Sequence, residues 1–337
     1  MDHPDTIYFD DGIDFSQPQL YGAARAPLGV ATMLPRGAYT SEVFQRLENE
    51  KVWTREWVCI GTTPQIENPF DLLPYTIGNH AIHVQRMADG SLVGRFNKAQ
   101  HGGCRTVPVQ CQTGRKTSCS YTSCGFSRDR DVIPGSSLQE MSPQMGQYLG
   151  MRPERLLPVK LATSGPLLFA NIDPTPGVEP PAALPEVGDH VVRRDGRWQE
   201  HRSNWKLAGA SIVDAASWGL DDGSVEWVFP NLVIVRSRHA TLAVVLQPTA
   251  MEQTLWRLSF FAAPGVQQVA YEAARDELLR RLDEATAAAE ALQVAIERAP
   301  AGGGPEAGNT AWLFNHALSE RITRQHESYW NAPLMRA

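Results

Sequence analysis

Four of the chain's five cysteines, Cys104, Cys111, Cys119 and Cys124, crowd into one Gly- and Ser-rich stretch that also holds His101, while Cys59 stands alone. His101-x2-Cys104 followed by Cys119-x4-Cys124 sets out one imidazole and three thiols, donors of the kind zinc accepts. In a reducing compartment such crowding points to a metal site, or the remains of one, before it points to disulfides. The spacing is loose for zinc, so the favoured reading is relic thiols packed into a shrunken pocket, with a substitute metal centre second. Another group is acidic: Asp214, Asp221 and Asp222 could hold a hard cation through oxygen atoms. Asp221-Asp222-Gly223 has the composition of a solvated turn, and that reading is preferred. A third group is aromatic. Trp205, Trp218, Trp227 and Trp312 could line an apolar pocket, although core packing is the default for tryptophan.

These groups need elements to position them. Residues 1–40 carry Pro, Gly and Asp with no sustained period and read as an irregular arm, packed on the body or on a neighbour. Ser41 is placed to cap an amphipathic helix running to Trp57, with Val43, Phe44, Leu47, Val52 and Trp53 on its apolar side. Short β-prone runs at 57–60, 75–77, 81–85 and 92–96 follow, punctuated by Gly78-Asn79 and Asp89-Gly90. They predict a small antiparallel barrel or sandwich, with the stretch from His101 to Pro134 hung on it as two loops. A second region starts near Leu156. It contains a buried strand over 167–172, a Pro-rich connector over 174–185, and strands at 225–229, 232–236, 241–247 and 254–261. A long helix lies between Gly265 and the breaker run from Pro300, and another over 311–325. The expected organisation is an arm (1–40), a β domain (41–155) and an α+β domain (156–337).

Composition narrows the function classes. The chain has 337 residues, 31 Lys+Arg against 37 Asp+Glu, a net charge of −6 and 42% hydrophobic residues. Such a chain buries a core large enough to need no disulfide staples. It has no basic stripe for a phosphate backbone, so nucleic acid is not an expected partner. No apolar run approaches the roughly 20 residues of a spanning helix, so no membrane is expected. The acidic start, unlike a signal peptide, points to the cytoplasm.

Two loops with paired ligand positions on a small β domain, followed by an α+β domain, resemble the α subunit of Rieske non-haem iron (aromatic ring-hydroxylating) oxygenases. The segments that carry the resemblance are FQRLENEKVWTREWVCIG, DLLPYTIGNHAIHVQRMADGSLVGRFN, LLPVKLATSGPLLFANIDP, SNWKL and FPNLVIV, in that order. No single piece is specific; their order and spacing are. The resemblance implies a Rieske-like β domain inserted before a helix-grip (START-like) antiparallel-sheet domain. It also implies ring-shaped trimers in which an electron passes from one subunit's [2Fe-2S] cluster to its neighbour's Fe(II).

The ligands depart from that pattern. A Rieske cluster takes two thiolates and two imidazoles, from a Cys-x-His pair and a Cys-x-x-His pair. Here NKAQHGGC keeps His101 but has Ala99 in place of the first Cys, and SCSYTSCGF keeps Cys119 but has Thr122 in place of the second His. At the mononuclear site, which takes two His and a carboxylate, Asp214 matches the family's bridging carboxylate, a group that faces a neighbouring subunit. Ser217 replaces one His ligand, Asp221 or Asp222 the other, and no Asp follows Asp283, leaving Glu306 as the nearby acid. The resemblance also allows Cys104 to pair with Cys124, as in respiratory Rieske proteins.

A methyl or hydroxyl group does not replace a thiolate or an imidazole. The expectation is therefore a pseudoenzyme without cofactor: a structural or regulatory subunit that forms a hetero-oligomer with an intact α subunit. The second reading is an active oxidoreductase of this family with aberrant ligands, an iron-sulfur cluster and iron. The third is a binding module for an apolar small molecule.

Overall fold

Ser41 and the turn it starts show how local sequence sets the first well-formed element. Its hydroxyl accepts from the backbone N–H groups of Val43 and Phe44, capping helix α1 (Glu42–Glu48). The helix expected to reach Trp57 ends sooner, continuing only as a π turn over Asn49–Trp53 that buries Val52 and Trp53. The computed structural model describes residues 8–97, 131–135, 148–149, 152–175, 177–181, 184–185, 187, 192–216, 223–299 and 309–324.

The described part of the arm packs on the body. It forms a two-stranded ribbon, β1 (Phe9–Asp10) with β2 (Ile13–Asp14), and buries Tyr8, Phe15, Tyr21, Ala24 and Leu34. Arg25 ties it to the C-terminal helix, with Nε donating to Ser319 Oγ and Nη2 to Thr323 Oγ1.

An antiparallel six-stranded sheet follows in the order β3-β8-β7-β6-β5-β4. Its strands are β3 (Val58–Thr62), β4 (Leu72–Ile77), β5 (His80–Arg86), β6 (Leu92–Phe96), β7 (Pro158–Ser164) and β8 (Leu167–Asn171). Sheet membership runs past the border expected at 155/156, because β8 closes on β3 and β7 reaches β6. The physical reason is that β3 must satisfy its backbone groups with a strand that arrives a hundred residues later in the chain.

The second sheet is also antiparallel, in the order β10-β11-β12-β13-β9. It comprises β9 (Val192–His201), β10 (Ser224–Val228), β11 (Leu232–Arg236), β12 (Thr241–Ala250) and β13 (Gln253–Ala262). Helices α2 (Trp205–Ala216) and α3 (Gln268–Arg298) cover one face, where Ile212, Trp256, Phe260, Leu278 and Leu282 share a core. The opposite face meets the first domain, bringing Ile234, Val245 and Phe261 into one cluster with Cys59, Ile60 and Tyr75. Helix α4 (Asn309–Thr323) completes the described chain. The α+β class and the small β domain preceding an antiparallel-sheet domain are as the sequence led us to expect.

Candidate functional site

Most expected ligand positions, Ala99, His101, Cys104, Cys119, Thr122 and Cys124, lie outside the described residues, as do Cys111, Ser217, Trp218, Asp221, Asp222 and Glu306. What the structure does place is the framework on which they are strung.

Helix α2 begins with a cap. Asn204 Oδ1 accepts from the Lys206 N–H, while the Asn204 N–H donates to Gln293 Oε1 of α3 and its amide to the Met251 carbonyl. Asp214 is carried on this helix, exposed in the single chain, and partial screening from water raises its carboxyl pKa.

Directly behind the cap, Lys206 Nζ donates to Glu48 Oε1 at 2.7 Å and Trp205 Nε1 donates to Glu48 Oε2 at 3.3 Å. The pair is closed from water, with side-chain exposures of 1% and 4%. Burial raises the Glu48 pKa and lowers that of Lys206, and the mutual attraction opposes both shifts. The ammonium also lies 5.3 Å from the Phe44 and Trp205 ring centroids and 5.5 Å from that of Tyr39. This couples the SNWKL segment to α1, and only the lysine-tryptophan landmark hinted at it in the sequence.

Three of the four tryptophans, Trp205, Trp227 and Trp312, lie within the described residues, and each packs against named neighbours. Trp205 packs edge-on against Trp53 and Phe314, at centroid separations of 4.9 and 5.3 Å. Trp227 stacks on Phe314 at 3.8 Å and 13°, and lies against Gly209 so closely that a Cβ there would stand 2.2 Å from the indole. Trp312 Nε1 donates to the Ala26 carbonyl, pinning α4 to the arm. Trp205 lines only a void of about 10 Å³, at the limit for a single water. Core packing, the default reading for tryptophan, is what Trp205, Trp227 and Trp312 show, with α4 bringing Phe314 between α2 and the sheet.

Two residues that drew no attention in the sequence join the domains. Asn231 accepts from the Cys59 N–H through Oδ1, and its amide donates to the Cys59 carbonyl, Tyr75 Oη and the Leu246 carbonyl. Arg257 reaches the other way, donating to Gln247 Oε1 and the Pro74 carbonyl with its guanidinium 5.2 Å from the Tyr75 centroid. Cys59 is buried between them, and burial pushes its thiol pKa up to about 12. The lone cysteine is therefore a packing group, not a nucleophile.

Among the described residues no three His, Cys, Asp or Glu side chains come together as a metal-binding group, and no helix is long and apolar enough to cross a membrane.

The two-sheet arrangement is the fold of Rieske oxygenase α subunits. The chain is homologous to these subunits and shares their fold. It is 27% identical over 135 residues to chlorobenzene dioxygenase subunit alpha of Cupriavidus sp. (strain PS12), a stretch covering 40% of this chain and 29% of that protein. It is 23% identical over 195 residues to the carnitine monooxygenase oxygenase subunit of Escherichia coli (strain K12), covering 55% and 49%. The matched stretches thus span less than half the length of these relatives. The apo form of the quaternary ammonium Rieske monooxygenase CntA superposes with a TM-score of 0.59 at 13% identity, over 91% of this chain and 98% of that one. Naphthalene 1,2-dioxygenase with indole bound gives 0.60 at 11% identity, over 93% and 95%. No family model matches the sequence.

Proposed function

We propose that this chain is a catalytically inactive α-subunit-like protein that assembles in the cytoplasm with an intact Rieske oxygenase α subunit, as a structural or regulatory member of a hetero-oligomer. One observation carries the reading: the framework is kept while the donors are not. Glu48, Lys206 and Asn231 still bind the two domains together, yet the matched ligand positions hold Ala99, Thr122, Ser217 and Asp222. Alanine offers no donor, and a hydroxyl is a poor substitute for an imidazole on iron. The donor set does not fit a Rieske cluster or a facial-triad iron. Oxidation and ring hydroxylation are then the partner's chemistry, and this chain contributes a surface. His101, Cys104, Cys119 and Cys124 remain the candidate set for a substitute zinc.

The test is expression in iron-replete cells, alone and together with the intact α subunit from the same source. Colourless, iron-free protein that co-purifies with the intact subunit supports the reading. Stoichiometric iron with a Rieske-type paramagnetic signal after reduction overturns it in favour of an active oxygenase with aberrant ligands. A well-behaved monomer that ignores the intact subunit overturns the assembly role.

A further inference from the structure

The edge of the second sheet carries a feature that the oxygenase framework leaves unused. Across the β9 and β13 ladder, Trp198 pairs with Arg257, Gly196 with Ser259 and Arg193 with Phe261, so these side chains rise from the face turned toward the first domain. Between that face and the first domain opens a cleft of about 270 Å³, near the lower end of the size of small-molecule sites. Arg193, Trp198 and Arg257 form one wall, and Gln65, Asp131 and Val132 the other.

The cationic wall is built. Arg257 is 5% exposed and fixed by Gln247 Oε1 at 2.9 Å and by the Pro74 carbonyl at 3.4 Å. Arg193 Nε is buried and has no hydrogen-bond partner among the described residues, a state that costs free energy until an acceptor arrives. Its guanidinium lies over Gly196, where a Cβ would meet Nη2 at 1.8 Å. Only glycine at 196 leaves that position open. Burial works against the charge of Arg193, with Asp195 and Tyr271 partly offsetting it. Trp198 stands beside it, 42% exposed, an apolar plane at the mouth. Arg197, the intervening residue, also lines the cleft, with its guanidinium carbon 5.9 Å from the Phe260 ring centroid.

We propose that this cleft binds a planar organic monocarboxylate, with the carboxylate accepting from Arg193 above the Arg257 floor and the apolar body resting on Trp198. A guanidinium fork matches a carboxylate, and an exposed indole offers a flat ring its contact area. Asp131 on the facing wall repels further negative charge, which disfavours a dianion such as phosphate.

The probe is benzoate, titrated into the full-length protein at neutral pH and fixed ionic strength by calorimetry and saturation-transfer NMR, with benzamide and inorganic phosphate as comparisons. Benzoate binds saturably and more tightly than either. Arg193→Gln weakens it about tenfold or more, the loss expected for one charge-assisted contact. Gly196→Ala weakens it as well, with no charge removed, because the new Cβ evicts the guanidinium. Trp198→Ala costs about threefold or more. Thermal melts and circular dichroism establish that each variant is folded. Absence of saturable benzoate binding, benzamide or phosphate binding as tight as benzoate, or an affinity that Arg193→Gln leaves unchanged would each overturn the assignment.

Discussion

Glu48 and Lys206 stand 158 residues apart in sequence and 2.7 Å apart in space, sealed from water between α1 and the first turn of α2. A buried pair of this kind adds little over an apolar pair of equal volume, because desolvation consumes most of the Coulombic attraction. Removing one partner is different, since it strands a charge. Glu48→Ala is expected to destabilise the protein by about 3–5 kcal/mol, whereas Glu48→Leu with Lys206→Met together cost clearly less. Urea unfolding of the single and double variants checks this; a double variant as unstable as the sum of the singles would show that the pair does not act as a unit.

His83 gives a pH signature. It is fully buried on β5, neither ring nitrogen has a hydrogen-bond partner among the described residues, and burial together with nearby Arg95 pushes its pKa down to about 3. In the unfolded chain the ring titrates near the usual histidine value of about 6.5, so between about pH 3 and 6.5 the unfolded state binds the extra proton. Stability therefore rises with pH through that window, with a His83 contribution to the slope approaching about 1.4 kcal/mol per pH unit. Denaturation midpoints from pH 4 to 7 should be steeper for the wild type than for His83→Leu. Parallel profiles would refute the assignment.

Gly209 tests the aromatic packing. Its missing side chain admits Trp227, which in turn stacks on Phe314. Gly209→Ala, favourable for an isolated helix by about 1 kcal/mol, is expected instead to destabilise by roughly 1–3 kcal/mol through overpacking and to alter the near-ultraviolet circular dichroism of the tryptophans. A stabilised variant with an unchanged spectrum would mean that α4 does not hold Phe314 against the sheet.

Cys59 should be silent in the native state. With 1% exposure and a thiol pKa near 12, it presents neither access nor thiolate at neutral pH. Peptide mapping after iodoacetamide treatment should find Cys59 alkylated only when denaturant is present. Modification of the folded protein at the rate of a free thiol would contradict the burial.

Local sequence alone determined many of the elements. The runs read at 92–96 and 232–236 coincide with β6 and β11, since β-branched and aromatic residues between turn signals specify a strand without outside help. Ser41 as a cap, and the long helix ended before Pro300, were equally legible because capping and breaking act within a few residues. Tertiary structure decided the rest. β9, with the polar sequence VRRDGRWQEH, showed no strand pattern because it is an edge strand paired, among the described residues, only to β13 and with no described side chain fully buried, so hydrophobic alternation is not required of it. β7 and β8 joined the first sheet because their hydrogen-bond partners lay there, and the tryptophans filled a core because α4 brought Phe314 among them. Propensity and periodicity act over one element. The Glu48–Lys206 pair, the Asn231 bridge and the arginine-lined cleft each join residues more than sixty positions apart, and only the folded chain brings them within reach.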